Sequence, residues 1–289
     1  MLPPALLQHL ESALRVRLTA GPAVKGGDIH QAVILLGDEG QKLFVKYNRA
    51  PSAADMFRTE AQGLALLGAS RVVAVPHIHA HGEADGGWAY LVLDFVASGP
   101  RSRLFWEKFG TALANLHGNT SEKFGFAHDN FIGSLPQSNR RHDTWTDFYA
   151  AERLLPQTRL ARDGGYIDST AVRLMEKCCA RLGRLCPEEA PALIHGDLWS
   201  GNFLCNTDGE PVLIDPSAAF AHREMDLAMA RLFGGFDPAF FAAYERAWPL
   251  EPGFVERLGI YQLYYLMVHL NLFGEGYLRQ VRDILNRFA

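Results

Sequence analysis

The chain predicts an α+β protein of two unequal lobes: a small, mostly antiparallel sheet with one helix, then a larger and mainly helical lobe. Three observations carry this. Short strand patterns broken by glycine turns cluster early, over 32–36, 41–47 and 88–95. Apolar residues at helical spacing dominate afterwards. Between the two, Leu91-Val92-Leu93 loosens into Ser98-Gly99-Pro100, which puts the lobes at 1–96 and 97–289. An apolar content of 48% over 289 residues supplies a substantial core.

Bulk properties exclude several classes. A net charge of −4 gives no general basic surface for nucleic acid. No apolar run is long enough to span a bilayer, and no basic-then-apolar leader opens the chain, so no membrane partner is expected. The 4 cysteines form no pair of CxxC units, and a reduced, cytoplasmic setting is the expectation.

In order, Leu6, Leu7, Leu10, Leu14 and Leu18 predict a helix over 1–18, started by Pro3-Pro4. Gly26-Gly27 forms a turn into the strand 32–36 that can bring backbone N–H groups to phosphate. It is not a GxxxxGK[ST] loop. Along 41–47, Leu43, Val45 and Tyr47 face one way and Lys42, Phe44 and Lys46 the other. Ser52 and Asp55 read as a capping box for the next helix, which sets Glu60 beside its apolar stripe. Residues 72–76, 77–81 and 88–95 should complete the sheet. His77, His79 and His81 share a strand face, and without a fourth ligand they read as solvated rather than metal-binding.

Helices follow over 104–117 and 169–186, the second stopped by Pro187 and Pro191. Between them, 124–139 is rich in turn formers and reads as a structured loop. Asp226 at a helix start should cap backbone N–H groups or brace a neighbouring loop. The run 261–274 reads as a helix ending at glycine, and its His269 could be a core histidine or reach a sugar hydroxyl.

The chemistry concentrates in 193–216. Asp208-Gly209 predicts a two-residue hairpin turn pairing 205 with 212 and 202 with 215. Asn202 and Asp215 would then face each other, with Asp197 in the loop before them. Two carboxylates and an amide oxygen suit Mg²⁺ carried by a phosphate substrate. Asp197 is placed to orient or accept the proton of an attacking hydroxyl, as phosphoryl transfer requires.

His195-Gly196-Asp197-Leu198-Trp199-Ser200-Gly201-Asn202, with Asp215-Pro216, resembles the fructosamine (ketosamine) kinase family. That family belongs to the aminoglycoside-phosphotransferase-like branch of the protein-kinase fold. Phe124-Gly125-Phe126, Asp129 to Gly133, Pro136-Gln137-x-Asn139, Trp145, Phe148, Tyr149 and Arg153 resemble a second hallmark of it. The resemblance implies a two-lobed kinase-like fold with ATP in the cleft. It implies transfer of the γ-phosphate to the 3-hydroxyl of a fructosamine, ribulosamine or erythrulosamine, and an unstable product that links the reaction to protein deglycation. It assigns Asp197 as catalytic base, and Asn202 and Asp215 to Mg²⁺. Lys46, oriented by Glu60, goes to the α/β-phosphates, with Gly26 and Gly27 near them. The backbone of Asp94, Phe95 and Val96 goes to adenine. Trp199, His269, Asp129 and Asn130 are the substrate candidates. The acceptor is a small ketosamine or a glycated protein amine. Some members carry a glycine-loop cysteine that links two chains; this loop has none, so a disulfide-linked dimer is not expected and the oligomeric state stays open. The rival enzymes are aminoglycoside- or choline-type kinases of the same core. A nucleotide-binding pseudokinase is disfavoured because Lys46, Asp197, Asn202 and Asp215 are all present.

Overall fold

The computed structural model describes residues 2–23, 30–38 and 40–289. Five strands form one antiparallel sheet in the order β1-β2-β3-β5-β4. They are β1 (Leu18–Ala23), β2 (Gln31–Gly37), β3 (Lys42–Asn48), β4 (Ile78–Ala84) and β5 (Trp88–Asp94). Alternation along β3 assigns the two faces. Leu43, Val45 and Tyr47 are buried with Leu6 and Leu10 of α1 (Pro4–Leu14). Phe44 packs on the opposite face with Phe57 and Leu64 of α2 (Ala53–Ala69). Lys46 shares that face, so the strand delivers it to α2.

This lobe departs from the sequence pattern in three places. The first helix stops at Leu14, where Arg15 turns left-handed at φ 57°, and Leu18 opens a strand instead. Ser52 does not cap α2. Its backbone is already helical, and its hydroxyl donates to the Met56 sulfur at 3.6 Å. Residues 72–76 add no strand to the sheet; there Ala74 instead accepts the Leu213 N–H at 2.9 Å, tying the segment to the hairpin below.

The second lobe is mainly helical, with α3 (Arg103–His117), α4 (Trp145–Phe148), a π-helical turn (Tyr149–Leu154) and α5 (Leu155–Asp163). It continues through α6 (Ser169–Leu185), α7 (Glu224–Leu232), α8 (Pro238–Ala247), α9 (Phe254–Phe273) and α10 (Leu278–Phe288). α9 is apolar almost all round and buried through its middle, as such helices are. It is the axis on which α5, α7 and α10 pack, and it stops at Gly274. No described helix is long and apolar enough to cross a membrane.

Three small ladders punctuate the helices: β6 (Asn130–Ile132) with β7 (Leu135–Gln137), β8 (Ala192–Ile194) with β11 (Ala219–Ala221), and β9 (Phe203–Cys205) with β10 (Pro211–Leu213). The last is the expected hairpin in a register shifted by one. Cys205 faces Pro211 and Phe203 faces Leu213. The turn takes three residues, 207–209, because Gly209 adopts φ 75° and returns its N–H to the Asn206 carbonyl at 3.0 Å. Asn202 therefore meets Ile214, whose N–H it accepts at 3.1 Å, and not Asp215. Asp215 lies just beyond the ladder at φ 55°.

Candidate active site

A buried carboxylate fixes the loop after β8. Asp226 on α7 accepts the N–H groups of His195 at 2.7 Å and Gly196 at 2.8 Å. Its second neighbour is His117 Nε2, at 3.2 Å. Asp226 thus braces the loop rather than capping its own helix. From the other side the Tyr265 hydroxyl of α9 donates to the Gly196 carbonyl at 3.0 Å. His195 closes the clamp: Nε2–H donates to the Ile214 carbonyl at 2.9 Å, and Nδ1 accepts the Asp197 N–H at 3.2 Å. Burial holds this imidazole below its ordinary range, so it stays neutral.

The clamped loop presents Asp197 to a cavity of about 720 Å³. The Asn202 amide donates to the Asp197 carbonyl at 2.9 Å and to its carboxylate at 3.0 Å. Burial first, then the nearby Asp215 charge, push Asp197 up to about 7 against the pull of that hydrogen bond. Asp215 reaches the same cavity from beyond β10 and pairs with Lys46. Lys46 Nζ also donates to Glu60 of α2 at 2.8 Å. Burial would lower Lys46, but Asp215 and Glu60 outweigh it and hold the amine charged. Burial would raise Asp215, but Lys46 keeps it below the usual carboxylate range. Glu60 is raised, by burial and by Asp215, to about 7.

The cavity therefore has two ends. Lys46, Glu60 and His30 line one, and Trp199, Phe233 and His269 the other, with Asp197, Asn202 and Asp215 between. The Trp199 indole lies over Gly201, where a Cβ would displace it. His269 Nδ1–H donates to the Tyr265 carbonyl at 2.8 Å, and burial lowers its pKa. Its Nε2 is left as an acceptor on the cavity side.

Other predicted residues fall elsewhere. Gly26 and Gly27 lie outside the described residues. Asp94 ends β5 and Phe95 and Val96 follow it, off this cavity. The Asp94 N–H goes to the His77 carbonyl at 2.9 Å and the Phe95 N–H to the Lys42 carbonyl at 3.1 Å, so the sheet engages both donors. Asp129 is exposed and accepts the Asn139 N–H at 2.8 Å. Asn130 is buried, donates to the Ala218 carbonyl at 3.0 Å, and accepts from Gln137 and Asn139. Neither lines the cavity; their polar atoms hold the loop together, while the following Phe131, Ile132 and Gly133 do line it. His79 pairs with Asp94 at 2.7 Å, in keeping with a solvated strand face. Among the described residues, Glu189, His222 and Glu224 have metal-like spacing, but Arg223 neutralises Glu189 and Arg257 neutralises Glu224.

Sequence reasoning missed Tyr265, Phe233, Phe273 and Tyr277, all on the cavity. A signal existed for Tyr265, which sits four residues before His269 and so on the same helix face. The same spacing puts Phe273, the last residue of α9 and four after His269, on that face, whereas Phe233 and Tyr277 lie beyond the ends of α7 and α9, where periodicity says nothing.

The sequence profile of the fructosamine kinase family matches residues 5–289. The chain belongs to the fructosamine kinase family. A Synechocystis protein described as a ketoamine kinase is 42% identical, over 94% of this chain and 90% of its own. The chloroplastic protein-ribulosamine 3-kinase of Arabidopsis thaliana is 37% identical, over 94% of this chain and 83% of its own. Among solved structures, a protein described as a fructosamine-3-kinase from Thermobifida fusca superimposes with a TM-score of 0.88 at 36% identity, covering 98% of each chain. An aminoglycoside phosphotransferase in complex with ADP and hygromycin B has a TM-score of 0.64 at 16% identity, covering 99% of each chain, which is a likeness of fold. The chain thus has a two-lobed, protein-kinase-like fold.

Proposed function

We propose that this kinase transfers the γ-phosphate of ATP to the 3-hydroxyl of a ketosamine, and that the reaction serves protein deglycation. One observation carries the reading: Lys46, Glu60, Asp197, Asn202 and Asp215 line a single cavity whose far end is free for an acceptor. The residues divide the work by lobe, with 1–96 gripping nucleotide and 97–289 holding acceptor and base. Asp197 orients the 3-hydroxyl and takes its proton; a carboxylate near 7 is well matched to that task at neutral pH. Lys46, oriented by Glu60, binds the α/β-phosphates, and Gly26 and Gly27 contribute to the same grip. The Asp94 carbonyl and the Val96 N–H are the backbone groups for adenine, since the neighbouring donors are engaged. The carboxylate of Asp215 and the amide oxygen of Asn202 are hard donors on adjacent strands' ends, a set that fits Mg²⁺. Magnesium, when bound there, neutralises phosphate charge. Trp199 walls the sugar, and His269 Nε2 accepts from one of its hydroxyls.

The test is ATP- and Mg²⁺-dependent phosphorylation of a ribulosamine, a fructosamine and an aminoglycoside. Turnover on a ketosamine and none on the aminoglycoside is the expected result. Turnover on the aminoglycoside alone sinks the reading.

A further inference from the structure

The described residues include three large aromatic side chains that are well exposed: Trp199 at 41%, Phe233 at 40% and Phe273 at 56%. All three lie on one mouth, the acceptor end of the cavity. Scattered exposed apolar residues need no explanation, but a cluster does. Phe233 and Phe273 are joined, with Tyr277, through His269. The His269 ring lies 4.6 Å from Phe233, 5.5 Å from Phe273 and 5.1 Å from Tyr277.

Charge is segregated from it. Among the described residues lining the cavity, Lys46 is the one lysine or arginine, and Glu60 and Asp215 hold it at the other end. The carboxylates also stand at that end or at the loop. A sugar presents hydroxyls and is met by Asp197 and His269, with Trp199 as its wall. What remains of a ketosamine is the group on its nitrogen, and the aromatic rim is the surface left for it.

We infer that Phe233, Phe273 and Tyr277 bind the nitrogen-side arm of the substrate and select arms whose first carbons are uncharged and apolar. This rests on the ketosamine reading above. An arm with a carboxylate beside the nitrogen, as in the adduct of a free α-amino acid, meets no cation there and must shed its hydration against rings. An alkyl or arylalkyl arm is buried against rings.

The experiment compares ribulosamine adducts of methylamine, n-hexylamine and glycine on wild type and on a Phe233→Ala/Phe273→Ala variant. Full burial of one methylene is worth roughly fourfold, and a partly open rim captures a fraction of that. The hexyl adduct should exceed the methyl adduct by about tenfold in kcat/KM, and the glycine adduct should fall about tenfold below it. In the variant the hexyl-to-methyl ratio should drop to about twofold or less. Phe273→Ser alone, at the most exposed position, should lower the ratio in part and guards against a folding defect. An unchanged ratio overturns the inference, because the rim would then hold the sugar; so does a wild-type preference for the glycine adduct. Calorimetric binding of the same adducts separates the two failures. No turnover on any adduct, with hexyl still bound about tenfold tighter than methyl by wild type alone, sinks the kinase reading and keeps the rim.

Discussion

The 124–142 segment turns its polar atoms inward, whereas the 193–217 segment aims them into a cavity. In the first, Asn130 accepts from Gln137 at 2.8 Å and from Asn139 at 2.9 Å. Arg153, buried, donates to Asn139 and to the Ser138 carbonyl, both at 2.6 Å, with its guanidinium 4.5 Å from the centre of the Phe148 ring. Among the described residues no carboxylate forms an ion pair with that guanidinium; carbonyls, an amide and a ring hold it. In the second, backbone is clamped by Asp226 and Tyr265, but among the described residues Asp197 has a single side-chain donor, and its pKa is pushed up. Satisfied networks give rigidity, and incompletely satisfied carboxylates give reactivity. Both segments carry hallmark residues of one family, so a hallmark alone does not say which of these a residue does.

The largest effect that sharpens this contrast is Asp197→Asn. Turnover should fall about a thousandfold while ATP binding, read by calorimetry, persists. In wild type, kcat/KM should decline about tenfold per pH unit below about 7, the value to which Asp197 is raised. Stability moves the other way. A carboxyl raised from 3.8 to about 7 binds more protons folded than unfolded between those values, so it costs stability as pH rises through them. Asp197→Asn should therefore be more stable than wild type at pH 8, by roughly 1–3 kcal/mol in urea unfolding, and equal to it near pH 3. Equal stability at pH 8 would break the claim that this carboxylate is strained for function.

Arg153→Leu probes the inward segment. It strands the Asn139 amide oxygen and the Ser138 carbonyl, and should cost about 2–4 kcal/mol of stability. Turnover per folded molecule should change by less than about fivefold, since no lost bond reaches the cavity. A large kcat loss in fully folded protein would erase the distinction between the segments. Smallest is Asp129→Ala, which removes one exposed acceptor and should shift stability by about 0.5–1 kcal/mol and leave ketosamine KM unchanged. A raised KM would return Asp129 to the substrate site.

Much of this was legible in the sequence where periodicity or spacing is strong. β3 alternates cleanly, which put Lys46 on the face of α2, and Asp197, Asn202 and Asp215 do share a cavity. The rest was hidden for local reasons. β1 reads Leu-Thr-Ala-Gly-Pro-Ala, with a glycine and a proline that suit only an edge strand, and its pairing slips between Ala20 and Ala23. The hairpin register depended on Gly209 going left-handed, which Asp-Gly permits in loops of two residues or three. Val72 to Pro76 has strand composition but no neighbour in the sheet. Exposure of Phe233 and Phe273 is a property of how α7 and α9 end, and composition does not carry it.

The backbone at Asp215 sits at φ 55°, where most side chains clash with their own main chain. Asp, Asn and Gly tolerate that conformation best, so position 215 has a short alphabet before any chemistry is asked of it. Glutamate keeps the charge but costs about 1 kcal/mol more at this backbone filter, and alanine loses the charge while adding strain. Asparagine passes the backbone filter and removes only the charge, which makes it the one replacement that separates what the carboxylate does from what the turn requires.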